Sequence, residues 1–381
     1  MKIMHIGVAS HFTEGMTYQD NLLCEQNLRD GHEVLYVSDN HKFINGILTE
    51  VPPETKVLED GLRLVRLPYH RYLNDFVSGK LQRVDGLYPI ICEFKPDVIL
   101  FHGTCGYELL TASHYKKQHP EIRFFVDCHE DFYNSGRNIL SRVVQYRMYN
   151  RYLVGRALPY IDKVLFVSYE RGLFLKKMYH MPDSAMEFYP LGGILIEGEE
   201  RSKKREIKRA EIHASEEDIV IVHSGKMEKT KKTAETVRAF RAVHKENLRL
   251  VIIGSFSDDV RDEVMPVIQE DPNIIYAGWK NSSEIMEYLC AADLYFQPGT
   301  QSATMENAAC CGAALALYPY SSYTYLFHDA AFYIKDEAGM EDLLRRIADY
   351  PELLEEKRVK SYAIAREKLD YVKLAARLYR D

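Results

Sequence analysis

The stretch Asp293-Leu-Tyr-Phe-Gln-Pro-Gly-Thr-Gln-Ser-Ala-Thr-Met-Glu-Asn-Ala-Ala-Cys-Cys-Gly312 decides how this chain is read. Leu294–Gln297 is short, apolar and aromatic, the pattern of a buried strand. Pro298-Gly-Thr-Gln301 is a turn, and Ser302 or Thr304 can cap a helix that runs through Glu306 and stops near Gly312. A strand, a tight turn and a helix start form a natural anion site, because the first amides of a helix have no internal partner. A phosphate over Ser302 fits that geometry. Glu306, about one turn further in, is placed to accept hydrogen bonds from paired sugar hydroxyls. An ordinary strand–helix unit with a capped start has the same outline, so the rest of the chain must discriminate.

Outward from this stretch, strands and helices alternate in both directions. Lys2–Val8, Glu33–Ser38, Leu62–Leu67, Asp97–His102, Ile122–Asp127, Lys163–Ser168 and Ala185–Tyr189 read as strands, with helices at Met16–Arg29, Leu81–Phe94, Tyr107–Gln118, Asn138–Tyr160 and Glu170–Tyr179. The segment from Arg63 to Arg83, rich in Tyr, His and Arg, reads as irregular surface. Glu197–Asp218 is almost wholly charged or small and reads as a solvated linker and helix. Alternation then restarts with Ile219–His223 and continues through Leu248–Gly254, Ile274–Gly278, Ala313–Leu317 and Ala331–Ile334 to a helical Glu341–Leu378. This is the pattern of two α/β domains with doubly wound, mostly parallel sheets. Ligands of such sheets bind beyond the carboxyl ends of the strands, and with two domains the natural site is a central cleft.

Composition narrows the classes. With 381 residues, 46% hydrophobic and 28% charged, the chain can hold two cores. A net charge of −7 argues against a nucleic-acid partner. No apolar run approaches a membrane span, and the N-terminus lacks a signal peptide's h-region. The seven cysteines have no C-x-x-C pairing and read as reduced thiols of a cytoplasmic protein.

Three constellations can carry chemistry. The loop Ser224-Gly-Lys-Met-Glu-Lys-Thr-Lys-Lys232 puts Lys226, Lys231 and Lys232 before a helix, suited to a diphosphate but not a P-loop; a solvated lysine run is the plain alternative. The loop after the first strand, Ala9–Gly15, lacks G-x-G-x-x-G, which disfavours a dinucleotide enzyme; Gly15 still lets backbone approach a ligand, and Thr17 is a plausible helix cap. His102 and Asp127-Cys-His-Glu-Asp131 end adjacent strands, and two histidines beside carboxylates there exceed what a lone structural histidine would suggest. No Asp-x-Asp occurs, so no metal is expected. From Phe132 to Ile161 there are five arginines (137, 142, 147, 151, 156) and no acids. Packing and solvation explain such a run; an anionic acceptor or a membrane headgroup surface is the functional alternative.

Taken together, these pieces resemble the GT-B glycosyltransferases, specifically the retaining family 4. Gly31-His-Glu-Val34 resembles the family's GHEV strand, Pro96-Asp-Val-Ile-Leu-Phe-His102 its PDVI strand, and Asp127-Cys-His-Glu130 its strand ending in His-Asp. Gly225-Lys226 with Lys231 and Lys232 resembles the basic pair on the donor diphosphate. Ala277-Gly-Trp279 resembles the loop on the nucleobase, and Glu306–Gly312 the EAMACG helix. The family's E-x7-E pair is incomplete: Pro298 stands eight residues before Glu306, Gly299 eight before Asn307, and Lys226 replaces an Arg.

The resemblance implies an acceptor-side Rossmann-like domain over 1–195, a nucleotide-sugar-binding one over 196–360, and a C-terminal helix, 361–381, packing back on the first. It implies transfer of a sugar from a nucleotide-diphosphate donor to a saccharide or lipid-linked acceptor, without cofactor or metal and with peripheral membrane contact. Lys226, Lys231, Lys232, Trp279, Gln301, Ser302 and Glu306 would hold the donor, with Gln301 standing in for the missing carboxylate. His129 and Glu130 would serve catalysis, and Gly15, His102 and Arg137 the acceptor. A nucleotide-sugar-binding subunit without catalysis is the second reading, and a GT-B epimerase the third.

Overall fold

The computed structural model describes every residue except Asn45, Gly46, Tyr133, Asn134, Gly136, Arg137, Leu140 and Asp381. The sequence expectation for Arg137 therefore lies outside the described residues. The chain divides into two compact units, Met1–Pro190 joined by the stretch from Leu374 on, and Leu191–Lys373.

The first unit holds β1 (Lys2–Gly7), β2 (Glu33–Asp39), β3 (His41–Ile44), β4 (Ile47–Glu50), β5 (Glu54–Val57), β6 (Arg63–Leu67), β7 (Val98–Phe101), β8 (Arg123–Cys128), β9 (Lys163–Phe166) and β10 (Met186–Phe188). Eight of them form a sheet in the order β10-β9-β8-β7-β1-β2-β6-β5. Its pairs are parallel except β5 against β6. The central strands are buried on both faces, so Val98-Ile-Leu-Phe101 is apolar throughout. Strand order reverses between β1 and β7, which makes their carboxyl ends a topological switch point. β3 and β4 form a separate antiparallel hairpin.

The second unit holds β11 (Ile219–Met227), β12 (Leu248–Phe256), β13 (Ile274–Gly278), β14 (Leu294–Gln297), β15 (Ala314–Leu317) and β16 (Phe332–Tyr333), in the order β13-β12-β11-β14-β15-β16 and all parallel. Its switch point lies between β11 and β14. Each unit packs its helices on its own core, around Met4, Ile99 and Phe124 in the first and Ile221, Leu250 and Phe296 in the second.

Several expectations change. The segment read as irregular surface contains the helix Asp75–Leu81, capped by the Asn74 side chain on the Val77 amide. The helix expected over Asn138–Tyr160 is a π-helix, Ser141–Asn150, followed by an α-helix, Arg151–Ala157. The first helix begins at Gln19, with no side-chain cap from Thr17. The charged run after Glu197 is not simply solvated. It forms the helix Gly198–Glu211, whose Arg205 and Arg209 reach the Asp293 carboxylate at 2.7 and 2.9 Å. Arg209 is buried, because Asp293 also accepts the Val220 amide and fixes a negative charge under the helix.

Candidate functional site

In the second unit the two loops of the switch point meet. β11 runs on to Met227, so Gly225 and Lys226 sit on the strand's carboxyl end rather than in the loop expected from the sequence. The chain then turns through Lys229–Lys231 into the helix Thr233–Val243. The β14 loop lies against this turn: the Thr300 amide donates to the Thr230 carbonyl at 3.0 Å. Gly299 is required there by space, since a Cβ would stand 2.3 Å from the Thr230 oxygen.

The four lysines of this stretch have different fates. Lys231 is buried, and its ammonium donates to the carbonyls of Thr300 and Gln301 at 2.9 and 3.2 Å. Desolvation lowers its pKa to about 8, with Glu228 acting weakly the other way. Lys232 donates to the Lys335 carbonyl at 2.9 Å and lies over the Tyr318 ring. Lys229 pairs with Asp259 at the surface. Lys226 is exposed and, among the described residues, has no side-chain partner. It is the lysine of this group left available to an incoming anion.

The floor is a polar network around two buried tyrosines that sequence reasoning missed. The Tyr323 hydroxyl accepts from Gln297 Nε2 at 3.1 Å and from the Ser302 amide at 3.4 Å. Tyr295 shares a hydrogen bond with Ser224 at 3.0 Å. Burial pushes the Tyr295 phenol up to about 12, and the charge of Glu306 adds to it. Glu306 is itself buried beside these rings, 7% exposed. No signal in the Tyr-rich segment 318–325 distinguishes Tyr323 from its neighbours.

At the start of the helix Thr304–Cys310 the Ser302 hydroxyl accepts the Thr304 amide at 3.4 Å, one residue before the assigned cap position. That position is Ala303, without a side-chain bond, while the Ser302 hydroxyl lies 3.2 Å from that of Thr304. Of Glu306 and Asn307, the second is engaged by the backbone: its Oδ1 accepts the Ile194 amide at 3.0 Å. Trp279 follows the edge strand β13 and is 66% exposed, away from the network around Lys231.

The first unit has its own cluster at the ends of β1, β7 and β8. Asn27 Nδ2 lies 2.9 Å from His5 Nε2, His5 Nδ1 lies 3.0 Å from His102 Nε2, and His102 Nδ1 lies 2.5 Å from Asp127 Oδ2. One set of tautomers satisfies the row: each ring accepts at Nε2 and donates from Nδ1–H, ending on the carboxylate. Burial and the neighbouring His102 hold His5 neutral. Despite its burial, Asp127 stays ionised, held well below the usual carboxylate range by His102 and His129. His102 thus has both nitrogens engaged inside the fold.

His129 presents a ring whose side chain is 42% exposed, with Nε2 3.6 Å from Asp127. Burial works against its charged form, but Asp127 outweighs that and raises its pKa. The carboxylate of Glu130 accepts the amides of Thr104 and His129 at 2.9 and 3.1 Å, which makes it a clamp for two loops rather than a free acid. Gly15 sits exposed at φ 76° in the loop after β1, beside a cavity of about 280 Å³. Among the described residues one group can hold a metal ion: His11, Asp39 and His41, whose ligand atoms lie within 4.8 Å of one another. In this structure both rings point Nδ1 at the same Asp39 oxygen.

Residues 204–368 match the family model of the glycosyl transferases group 1. The whole chain superposes on solved GT-B glycosyltransferases. It shares their fold. The sucrose-phosphate synthase of Thermosynechococcus elongatus superposes with a TM-score of 0.69 at 11% identity, over 99% of this chain and 97% of that one. HepE of Anabaena, solved with UDP, gives 0.69 at 13% identity, over 99% and 98%. WaaG, a glycosyltransferase of lipopolysaccharide biosynthesis, gives 0.61 at 13% identity, over all of both chains. At these identities the superpositions establish the fold alone. No curated protein matches the chain by sequence. Among the described residues, no helix is long and apolar enough to cross a membrane.

Proposed function

We propose that this glycosyltransferase moves a sugar from a nucleoside-diphosphate donor to a hydroxyl of a saccharide or lipid-linked saccharide, with retention of anomeric configuration. The observation that carries it is the junction of the Thr230 and Thr300 loops at the β11/β14 switch point, fastened by Lys231. In α/β sheets this is where nucleotides bind. Lys226 meets the diphosphate as it departs, and Glu306 accepts from the ribose hydroxyls. The backbone near Trp279 is assigned the base, and Gln301 the donor sugar. The charge on the diphosphate is met by lysine, without a metal. HepE, solved with UDP, and an E. coli relative solved with UDP-2-fluoro glucose support a nucleotide donor.

In the first unit His129 is assigned the transferred sugar or the acceptor, with Asp127, His102 and Glu130 holding it in place. The anomeric carbon–phosphate oxygen bond breaks, the bond to the acceptor oxygen forms, and the acceptor proton leaves with the diphosphate. No protein nucleophile is assigned. The free state of all seven cysteines supports a reducing, cytoplasmic setting.

The test is thermal shift with UDP, GDP and ADP, followed by transfer and hydrolysis assays with the matching nucleotide sugars. A stabilising nucleotide is expected, since a ligand bound only by the folded state raises its stability. No shift with any of them at millimolar concentration overturns the donor site. Binding without transfer or hydrolysis identifies a non-catalytic donor-binding subunit instead.

A further inference from the structure

We propose that His11, Asp39 and His41 bind one divalent transition-metal ion, zinc being the ion that suits them. Asp39 closes β2, His41 opens β3, and His11 stands in the loop after β1. Asp39 Oδ2 lies 2.9 Å from His11 Nδ1 and 2.8 Å from His41 Nδ1, and the three ligand atoms fall within 4.8 Å of one another. Hydrogen bonding alone could use both carboxylate oxygens; here both rings turn the same nitrogen to the same oxygen. Zinc bonds of about 2.0–2.1 Å at tetrahedral angles set ligand atoms roughly 3.3 Å apart. The ion is therefore admitted when the rings draw back by a fraction of an ångström. The carboxylate is fully buried while each ring is 24% exposed, so the fixed charge lies at the bottom and the approach is past the rings.

The donor set names the ion. Two imidazoles and one carboxylate suit zinc and its neighbours, whereas calcium and magnesium take oxygen ligands. Three side chains leave a fourth position for water. The ligands are also held from behind, as metal ligands are. Ser38 Oγ donates to Asp39 Oδ1 at 3.3 Å and accepts the Phe12 amide at 3.3 Å. Thr13 Oγ1 donates to the His11 carbonyl at 3.1 Å and accepts the Phe43 amide at 3.0 Å. The buried Arg66 donates to the carbonyls of His41 and Phe12 at 3.3 and 2.9 Å. Loop and hairpin are thus fastened together before an ion arrives, and His11 keeps its place at φ 55°, uncommon for a residue with a Cβ. The ion locks the loop that carries Gly15 to the hairpin, so its effect is stabilisation of the first unit. The lack of Asp-x-Asp bears only on an ion at the diphosphate. This site uses none of the second unit's residues and stands apart from the donor reading.

The test is calorimetric titration of the untagged full chain with zinc chloride, after stripping with EDTA and removal of the chelator. One ion per chain is expected, and zinc at about a hundred times its Kd should raise the Tm by several degrees. His11→Asn and His41→Asn each keep an N–H donor for Asp39, and Asn tolerates the left-handed backbone at position 11. Each should melt like the stripped parent but bind zinc at least about a hundredfold more weakly. Cobalt in place of zinc should give visible d–d bands without the charge-transfer band of a cysteine thiolate. In the parent, zinc should move the imidazole NMR signals of His11 and His41 before those of any other histidine, which decides the matter even if a variant fails to fold. No binding by the stripped parent overturns the proposal. So does parent-like affinity in both variants, a thiolate band with cobalt, or a first response from other histidines.

Discussion

The ammonium of Lys231 donates to the Thr300 carbonyl at 2.9 Å, tying the loop after β11 to the loop after β14 across the switch point. A buried lysine in this place titrates early, at about 8 instead of 10.5. Between those values the unfolded chain binds more protons than the folded one, so stability should rise with pH there. The gain is on the order of 3 kcal/mol. Urea melts from pH 7 to 10.5 should show this rise in the parent and its loss in Lys231→Met.

Lys226 differs from Lys231 in being exposed and, among the described residues, without a side-chain partner. Lys226→Ala should leave melting unchanged and weaken nucleoside-diphosphate binding by roughly tenfold or more, since hydrogen bonds to charged groups contribute about 1.5–3 kcal/mol. Nucleoside affinity should barely move. Calorimetric titration with UDP and uridine, or the matching pair for whichever base binds, separates the two. Equal losses would remove Lys226 from the diphosphate.

Glu306 and Asn307 should part in the same way. Asn307→Ala removes the acceptor of the exposed Ile194 amide and should cost at most about 0.5–1.5 kcal/mol of stability, with ribonucleotide affinity near that of the parent. Glu306→Ala should lower that affinity roughly tenfold. A folded Glu306→Ala protein with undiminished affinity would end the ribose assignment.

His129 should titrate above 6.5, because Asp127 raises it against the effect of burial. A histidine raised in the folded state contributes stability below 6.5 that is lost as pH climbs through its folded pKa. Asp127→Asn should remove the main support, with Glu130 keeping a smaller part, and lower the midpoint of the His129 imidazole resonance by NMR. An unmoved midpoint would mean that another group governs the ring.

Asp293 neutralises two arginines at once, Arg205 at 2.7 Å and Arg209 at 2.9 Å. Asp293→Ala leaves the buried Arg209 unpaired and should destabilise the protein by about 3–5 kcal/mol. Chemical denaturation of Asp293→Ala beside Arg209→Met should show the second change to be much the milder.

The central strands were legible because burial on both faces forces apolar runs, as in Val98–Phe101 and Leu294–Gln297. β5 was not, because Glu54-Thr-Lys-Val57 is an edge strand with mostly polar side chains. The Lys231 loop and Glu306 were marked by residue type and by resemblance. Which lysine turns inward was not, since that follows from the short turn at Lys229–Lys231 and from Thr300, far away in sequence. The same distance hid Arg209. A charged run reads as solvated until a carboxylate 84 residues later is folded beneath it. The clamp role of Glu130 was hidden for a related reason: its partners are backbone amides, which leave no trace in residue type.

The first unit is closed by residues from the far end of the chain. Tyr189 donates to the Leu374 carbonyl at 2.7 Å, Arg377 pairs with Glu187, Tyr379 bonds Asp30, and Leu374 and Leu378 are buried. During synthesis, then, the half of the molecule made first is the half finished last. Its sheet can form early, but its apolar seat for Leu374 and Leu378 stays uncovered while the intervening unit is made and folds. Ribosome-stalled chains ending before Leu374 should show a protease-sensitive first unit beside a resistant second one, and release of the remaining residues should protect both.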